Sequence, residues 1–242
     1  MKNKNPTSKI SSLIACSSLA LVPLYGATTV FEDDFSSSLY TNLSNPNLGG
    51  GAGNELVFAT WTGGGQVTIL NGALTALPTS SIRTAVIAFD NTTLTASGEY
   101  SFNFDISEFI ANTAGNSVPT PDSAAYVSIW KATGYDTSGD NRININTEAN
   151  TIIDGPIITE TGTATASQLK EETYTAAATA QSVTFNYDGT GAIFMLIGAQ
   201  TGNYPFSSAS FDNISVTSIP EPSSAFLGIT LLAGLCCRRS RS

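Results

Sequence analysis

Glu99-Tyr100-Ser101-Phe102-Asn103-Phe104-Asp105-Ile106 is the stretch that decides the fold class. Tyr100, Phe102, Phe104 and Ile106 fall on one parity, and Glu99, Ser101, Asn103 and Asp105 on the other. A period of two belongs to a half-buried strand, because side chains alternate across a strand and repeat every 3.6 residues around a helix. Val183, Phe185 and Tyr187 alternate with Thr184, Asn186 and Asp188 in the same way. Ile193 to Ile197 is apolar on both parities and predicts a central strand covered on both faces. Further strands are predicted at 56–60, 66–70, 73–77, 82–89, 124–131, 141–146, 156–159 and 209–217. The stretch 168–180 reads either as a short helix or as an extended crossover. Many short strands separated by Gly, Asn, Thr and Pro turns imply an all-β, jelly-roll-like antiparallel β-sandwich, a single domain over residues 28–217.

Composition narrows the chemistry. Charged residues make up 12% of the 242, about half the usual ~25%, and the polar positions are filled by neutral residues. The chain has no histidine, which excludes Ser-His-Asp and Cys-His nucleophile systems, His-ligated zinc and imidazole bases. Residues 28–217 hold four cations, Arg83, Lys131, Arg142 and Lys170, against eighteen carboxylates, a net charge of −14. A body so acidic repels phosphate backbones, and nucleic acid is excluded as a partner. Cys16, Cys236 and Cys237 all lie in the terminal apolar runs, so the body has neither a disulfide nor a thiolate metal site.

The two ends read as addressing segments. Met1 to Ala27 has a lysine-bearing start, an apolar stretch from Ile10 to Leu24 and small residues at Gly26 and Ala27, the order of a secretory signal helix cut after Ala27. Two other readings stand beside it: a lipoprotein box ending at Cys16, and an uncleaved N-terminal helix. At the other end, Ile219-Pro220-Glu221-Pro222 precedes an apolar segment from Ser223 to Cys237, and then Arg238-Arg239-Ser240-Arg241. As a helix that segment spans about 22 Å at 1.5 Å per residue, short of a hydrocarbon core of ~30 Å. The prolines hold its entry extended, and the arginines hold its far end on the cytoplasmic face.

In these parts, order and spacing, residues 218–242 resemble the tail of bacterial PEP-CTERM proteins. The resemblance covers about the last 24 residues. It implies export and recognition of Pro220, Glu221, Pro222, Arg238, Arg239 and Arg241 by an exosortase, a membrane-embedded enzyme of bacteria that make exopolysaccharide. It also implies contact with the membrane through the apolar helix before processing. A plain C-terminal anchor is the alternative.

Three sets of residues are candidate sites. Asp33 shares a parity with Phe31 and Phe35, and Asp212 shares one with Ile214 and Val216, so strict alternation turns both carboxylates toward apolar neighbours. A structural calcium held by Glu32, Asp33 and Asp212 would satisfy them, since calcium takes ~6–8 oxygen ligands and needs no histidine. The Phe31-Glu32-Asp33 opening and the Phe211-Asp212-Asn213-Ile214 close also resemble the joined first and last strands of jelly-roll carbohydrate-binding modules, which implies such a calcium. Equally, the carboxylates reach water or accept backbone N–H bonds. Asp136 to Thr147 echoes a calcium loop, but Asn141 replaces its glycine and Thr147 its final glutamate, so a polar turn is the expectation.

For ligand binding, Tyr126 and Trp130 share a face opposite Val127 and Ile129. They form either an aromatic platform for sugars or the core face itself. Trp61, beside Gly63–Gly65, is a loop contact or a core plug. Catalysis would need a carboxylate pair about 5–10 Å apart, and no local pattern marks one. The expectation is therefore an exported, non-catalytic cell-surface or matrix protein of structural or adhesive role. A carbohydrate-binding module contacting extracellular polysaccharide is the runner-up, and a glycoside hydrolase or lyase the third reading.

Overall fold

The computed structural model describes residues 27–220, except 37–39, 43–45, 51–53, 65–66, 78–82, 112–123, 137–138, 148–157 and 201–206. The expected signal helix and the tail from Glu221 onward, with Pro222, Arg238, Arg239 and Arg241, lie outside the described residues. The described residues contain no helix and fifteen strands. In chain order these are β1 (Thr28–Asp33), β2 (Tyr40–Asn42), β3 (Asn47–Leu48), β4 (Trp61–Gly63), β5 (Val67–Leu70), β6 (Ala73–Ala76), β7 (Arg83–Phe89) and β8 (Gly98–Ile110). They continue with β9 (Ala124–Thr133), β10 (Arg142–Ile145), β11 (Ile158–Thr161), β12 (Thr165–Tyr174), β13 (Ala178–Tyr187), β14 (Ala192–Gln200) and β15 (Ser208–Ile219).

Two six-stranded sheets face each other. The first runs β13-β8-β15-β6-β5, and the second β12-β9-β14-β7-β4-β2. In the first sheet β8 takes one edge of β15 along its length, while β6 and β1 share the other, β6 at Ala209–Phe211 and β1 at Ile214–Ser218. All pairings of the two sheets are antiparallel except β2 with β4. Between the sheets lie Phe102, Phe104, Val183, Phe185, Phe211 and Val216 from one side, and Ile87, Phe89, Val127, Ile129, Ile193, Met195 and Ile197 from the other. Each such side chain contributes about 1.5–3 kcal/mol by leaving water. The alternation of β8 thus marks a sheet with one buried face.

The second sheet is covered twice. Its other face, with Val86, Ala88, Tyr126, Phe194 and Leu196, packs under Leu48, Ile143, Ile145 and Ile158 of a small sheet ordered β11-β10-β3. This is why β14 is apolar on both parities: Ile193 to Ile197 is buried throughout. The sequence predicts strands near β10 and β11, and the structure adds that they leave the sandwich to form a third layer.

Two expectations are corrected and one open alternative is decided. Residues 56–60 are not a strand but a turn: Ala59 has φ 55°, and its N–H donates to the Ala88 carbonyl at 2.8 Å. The stretch 168–180 is the extended alternative, in which β12 ends in the second sheet and β13 begins in the first. The parity reading of Asp212 fails because β15 carries a bulge between Asp212 and Ser215, with Asn213 at φ 50°. The bulge shifts the buried set from Ala209 and Phe211 to Ile214 and Val216, and leaves Asp212 outside it.

The chain enters and leaves this body at one place. Thr28 pairs with Ser218, its N–H donating to Ser218 Oγ and the Ser218 hydroxyl donating to the Thr28 carbonyl, both at 3.3 Å.

Candidate functional site

On the outer face of the second sheet, β12, β9 and β14 bring Gln168, Trp130 and Phe194 into one row, and Glu171, Ser128 and Leu196 into the next. The rings of Trp130 and Phe194 stack with centroids 6.1 Å apart and planes 11° apart. Phe194 is fully buried under the small sheet, whereas Trp130 is only partly covered, so the indole stands at the margin of the third layer. Its Nε1–H donates to Ser128 Oγ at 2.6 Å, and Gln168 Nε2 donates to the same oxygen at 3.1 Å and also to the Glu171 carboxylate. The indole N–H is thereby consumed internally. What this margin offers a ligand is ring surface, with the exposed amide of Gln168 and carboxylate of Glu171 beside it.

Tyr126 shares the face with Trp130, as parity predicts, but lies beneath the small sheet at 4% exposure. Its phenol is bonded to Thr84 Oγ1 in the second core. Burial pushes its pKa far above the ordinary tyrosine value of 10, the Thr84 bond opposing and the Glu171 charge adding to the rise. A neutral phenol held in this way is a packing group with a satisfied hydroxyl. Trp61 is the core plug: it is 1% exposed, its ring lies 5.9 Å from that of Phe35, and its Nε1–H is buried with no partner among the described groups. Of the three aromatic candidates, Trp130 alone reaches the surface. From Ala124 to Ile129 both faces of β9 are buried, the aliphatic face against one core and the aromatic face against another, and only at Trp130 does the aromatic face meet solvent.

The carboxylate candidates are placed by the first and last strands, which do pair. Asp33 lies opposite Ile214, and its Oδ1 accepts the Phe35 N–H at 2.8 Å, while Glu32 is exposed. Asp212 Oδ1 accepts the Asn213 N–H at 2.7 Å. Among the described residues no three His, Cys, Asp or Glu side chains gather as a metal cluster. Glu32, Asp33 and Asp212 thus do not gather as one carboxylate cluster, and Asp33 and Asp212 each accept a nearby backbone N–H. In the Asp136 segment, Asp136 accepts from Gly139 N–H at 3.2 Å and from the Asn141 amide, and Asn141 Oδ1 accepts from Thr163 N–H at 2.7 Å.

Sequence reasoning missed Asp105. It sits in β8 between two bulges, one in β13 and one in β15, each holding a non-glycine residue at positive φ, Ala180 at 53° and Asn213 at 50°. Its two oxygens accept from Ala180 N–H at 2.6 Å and Asn213 Nδ2 at 2.8 Å, so one carboxylate ties three strands together. No sequence signal announces this, because both partners come from strands distant in the chain.

No protein-family model and no curated protein matches the chain. Among solved structures it is similar to the K3 cleaved adhesin domain of Lys-gingipain from Porphyromonas gingivalis, with 15% identity and a TM-score of 0.36, over 80% of this chain and all of that one. It is also similar to the xylan-binding domain from CBM 22, with 14% identity and a TM-score of 0.35, over 81% of this chain and 97% of that one.

Proposed function

We propose that the protein is an exported, non-catalytic structural or adhesive component of the cell surface or exopolysaccharide matrix, delivered by its N-terminal signal and sorted by a PEP-CTERM-like tail read by an exosortase. What supports this reading is where the sheets stop. β1 begins at Thr28, the residue after the expected signal cut, and β15 ends at Ile219, the residue before Pro220. The described sheets thus stop between the expected signal cut and the Pro220-Glu221-Pro222 triplet, with Ser218 and Ile219, the first two residues of the tail, still paired in β15. The test is to express the tagged chain, with and without residues 221–242, in an exosortase-bearing host. Under this reading the intact chain reaches the surface or matrix trimmed at the tail, and the shortened chain does not. Recovery of the intact chain untrimmed in the cytosol overturns the reading.

A second reading, contact with extracellular polysaccharide, rests on Trp130 at the margin of the third layer, with Gln168 and Glu171 beside it. A ring face stacks on the apolar C–H face of a sugar, while an amide and a carboxylate bond its hydroxyls. Trp130→Ala then abolishes retention on the host's polysaccharide in affinity electrophoresis, while Tyr126→Phe retains it. Equal retention by parent and Trp130→Ala removes the reading. No metal is part of either proposal.

A further inference from the structure

Both addressing segments leave the body from one pole. Thr28 lies opposite Ser218, Ile219 opposite Glu99, and Gly98 opposite Tyr187. A Cβ built at Gly189 would stand 3.7 Å from that of Ser97, so the turn into β8 and the Asp188–Gly191 turn close over the same end. The opposite pole holds Ile110 opposite Ser208, Ala76 opposite Ala209, and Ala124 opposite Gln200. β15 runs from one pole to the other in 12 residues, about 40 Å at ~3.3 Å per residue.

The leashes are short. From Leu24 to Thr28, and from Ile219 to Ser223, the chain takes four steps, about 14 Å at full extension. A body hung from one long tether samples every orientation, but two tethers this short, attached side by side, hold a single pole at the lipid. The acidic body adds no attraction to an anionic bilayer, which leaves the tethers to set the geometry.

Resting on the reading of both ends as membrane-engaging signals, we infer that the Thr28–Ser218 pole is the membrane-facing surface of the unprocessed protein and that the Ile110 pole is presented outward, about 40 Å away.

The test uses the full chain with Cys16, Cys236 and Cys237 changed to Ser, reconstituted into phosphatidylcholine vesicles containing a headgroup-nitroxide lipid. One fluorophore is placed at Ser97→Cys or Glu99→Cys, and in separate samples at Ile110→Cys or Leu77→Cys, all exposed positions. Each pole has two label sites, so a variant that melts below the parent is replaced by its neighbour. The expected result is several-fold stronger quenching at 97 and 99 than at 110 and 77. Equal or reversed quenching on chain that floats with the vesicles overturns the orientation and leaves the sorting proposal standing. Chain that does not float with the vesicles overturns the membrane-segment reading, and the orientation falls with it.

Discussion

The two large sheets are built from similar residues and differ in how many faces they hide. In the first, β8 alternates over 102–106 and β13 over 182–187, with Phe102, Phe104, Val183 and Phe185 inward and Ser182, Thr184 and Asn186 outward. In the second, β7 and β14 are apolar at nearly every position, because a third layer of four-residue and shorter strands covers the outer face. Strand sequence thus reports the number of covered faces, and the cover itself need be only a few residues long.

The most severe way to probe that contrast is to truncate both parities of each sheet. Phe194→Ala under the small sheet is expected to cost about 3–5 kcal/mol, and Met195→Ala on the opposite face about 2–5 kcal/mol. In β13, Phe185→Ala should cost as much as Phe194→Ala, while Thr184→Ala stays within about 0.5 kcal/mol. Urea denaturation reads all four. A Phe194→Ala cost as small as that of Thr184→Ala would mean the third layer is not packed on the second sheet.

Next is the buried phenol beneath the cover. Tyr126→Phe strands Thr84 Oγ1 in the second core, at a cost of about 1–3 kcal/mol. The same variant has a pH signature. Because burial raises the pKa of Tyr126, the folded chain keeps a proton that the unfolded chain releases near pH 10. Its contribution is complete below pH 10 and is lost as pH rises beyond it. Tyr126→Phe should therefore flatten part of the alkaline decline in melting temperature, the remainder belonging to Tyr135, Tyr174 and Tyr187, whose pKa values burial also raises.

Asp105→Ala, on the outer side of the first sheet, unties both bulges and is expected to cost about 1–2 kcal/mol. Asp105→Asn should recover part of this, since one amide oxygen still accepts. Hydrogen exchange at the Ala180 amide separates a local release from a global loss.

The smallest effect belongs to the exposed pair Lys131–Asp188. The bond from Lys131, then those from Thr190, hold the Asp188 carboxyl at about 2, below the ordinary 3.8. This contribution is present above the ordinary carboxylate pKa and is lost as pH falls through about 2. Lys131→Met should return Asp188 toward the usual range in a carboxyl-carbon NMR titration, with little change in melting temperature.

These contrasts also show what a chain discloses about itself. Alternation in β8 and double-sided burial in β14 were legible because each strand's own residues carry the pattern. The third layer was not: strands near β10 and β11 are predicted, but segments of two to four residues carry no signal of which layer they join. Asp212 was misread because a single αL residue, Asn213, re-phases everything after it, and an Asn-Ile pair inside a strand looks the same with or without a bulge. The polar run of β12 left helix and crossover open because that strand, Thr165 to Tyr174, lies at a sheet edge with no fully buried residue to set a parity. Of the candidate site, Trp130 could be found by parity, whereas the burial of Tyr126 depends on residues contributed from 48, 143, 145 and 158.

The pairing of β1 and β15 also sets how the molecule bears load. Tension applied between Ile219 and the Ile110 pole runs along β15, whose ladder bonds to β8, β6 and β1 stand across that direction and must yield together, in shear. Tension applied between Thr28 and Ile219 instead peels β1 away one residue pair at a time, like a zipper. The same fold is therefore stiff when stretched from its tail to its far end and soft when its two ends are drawn apart.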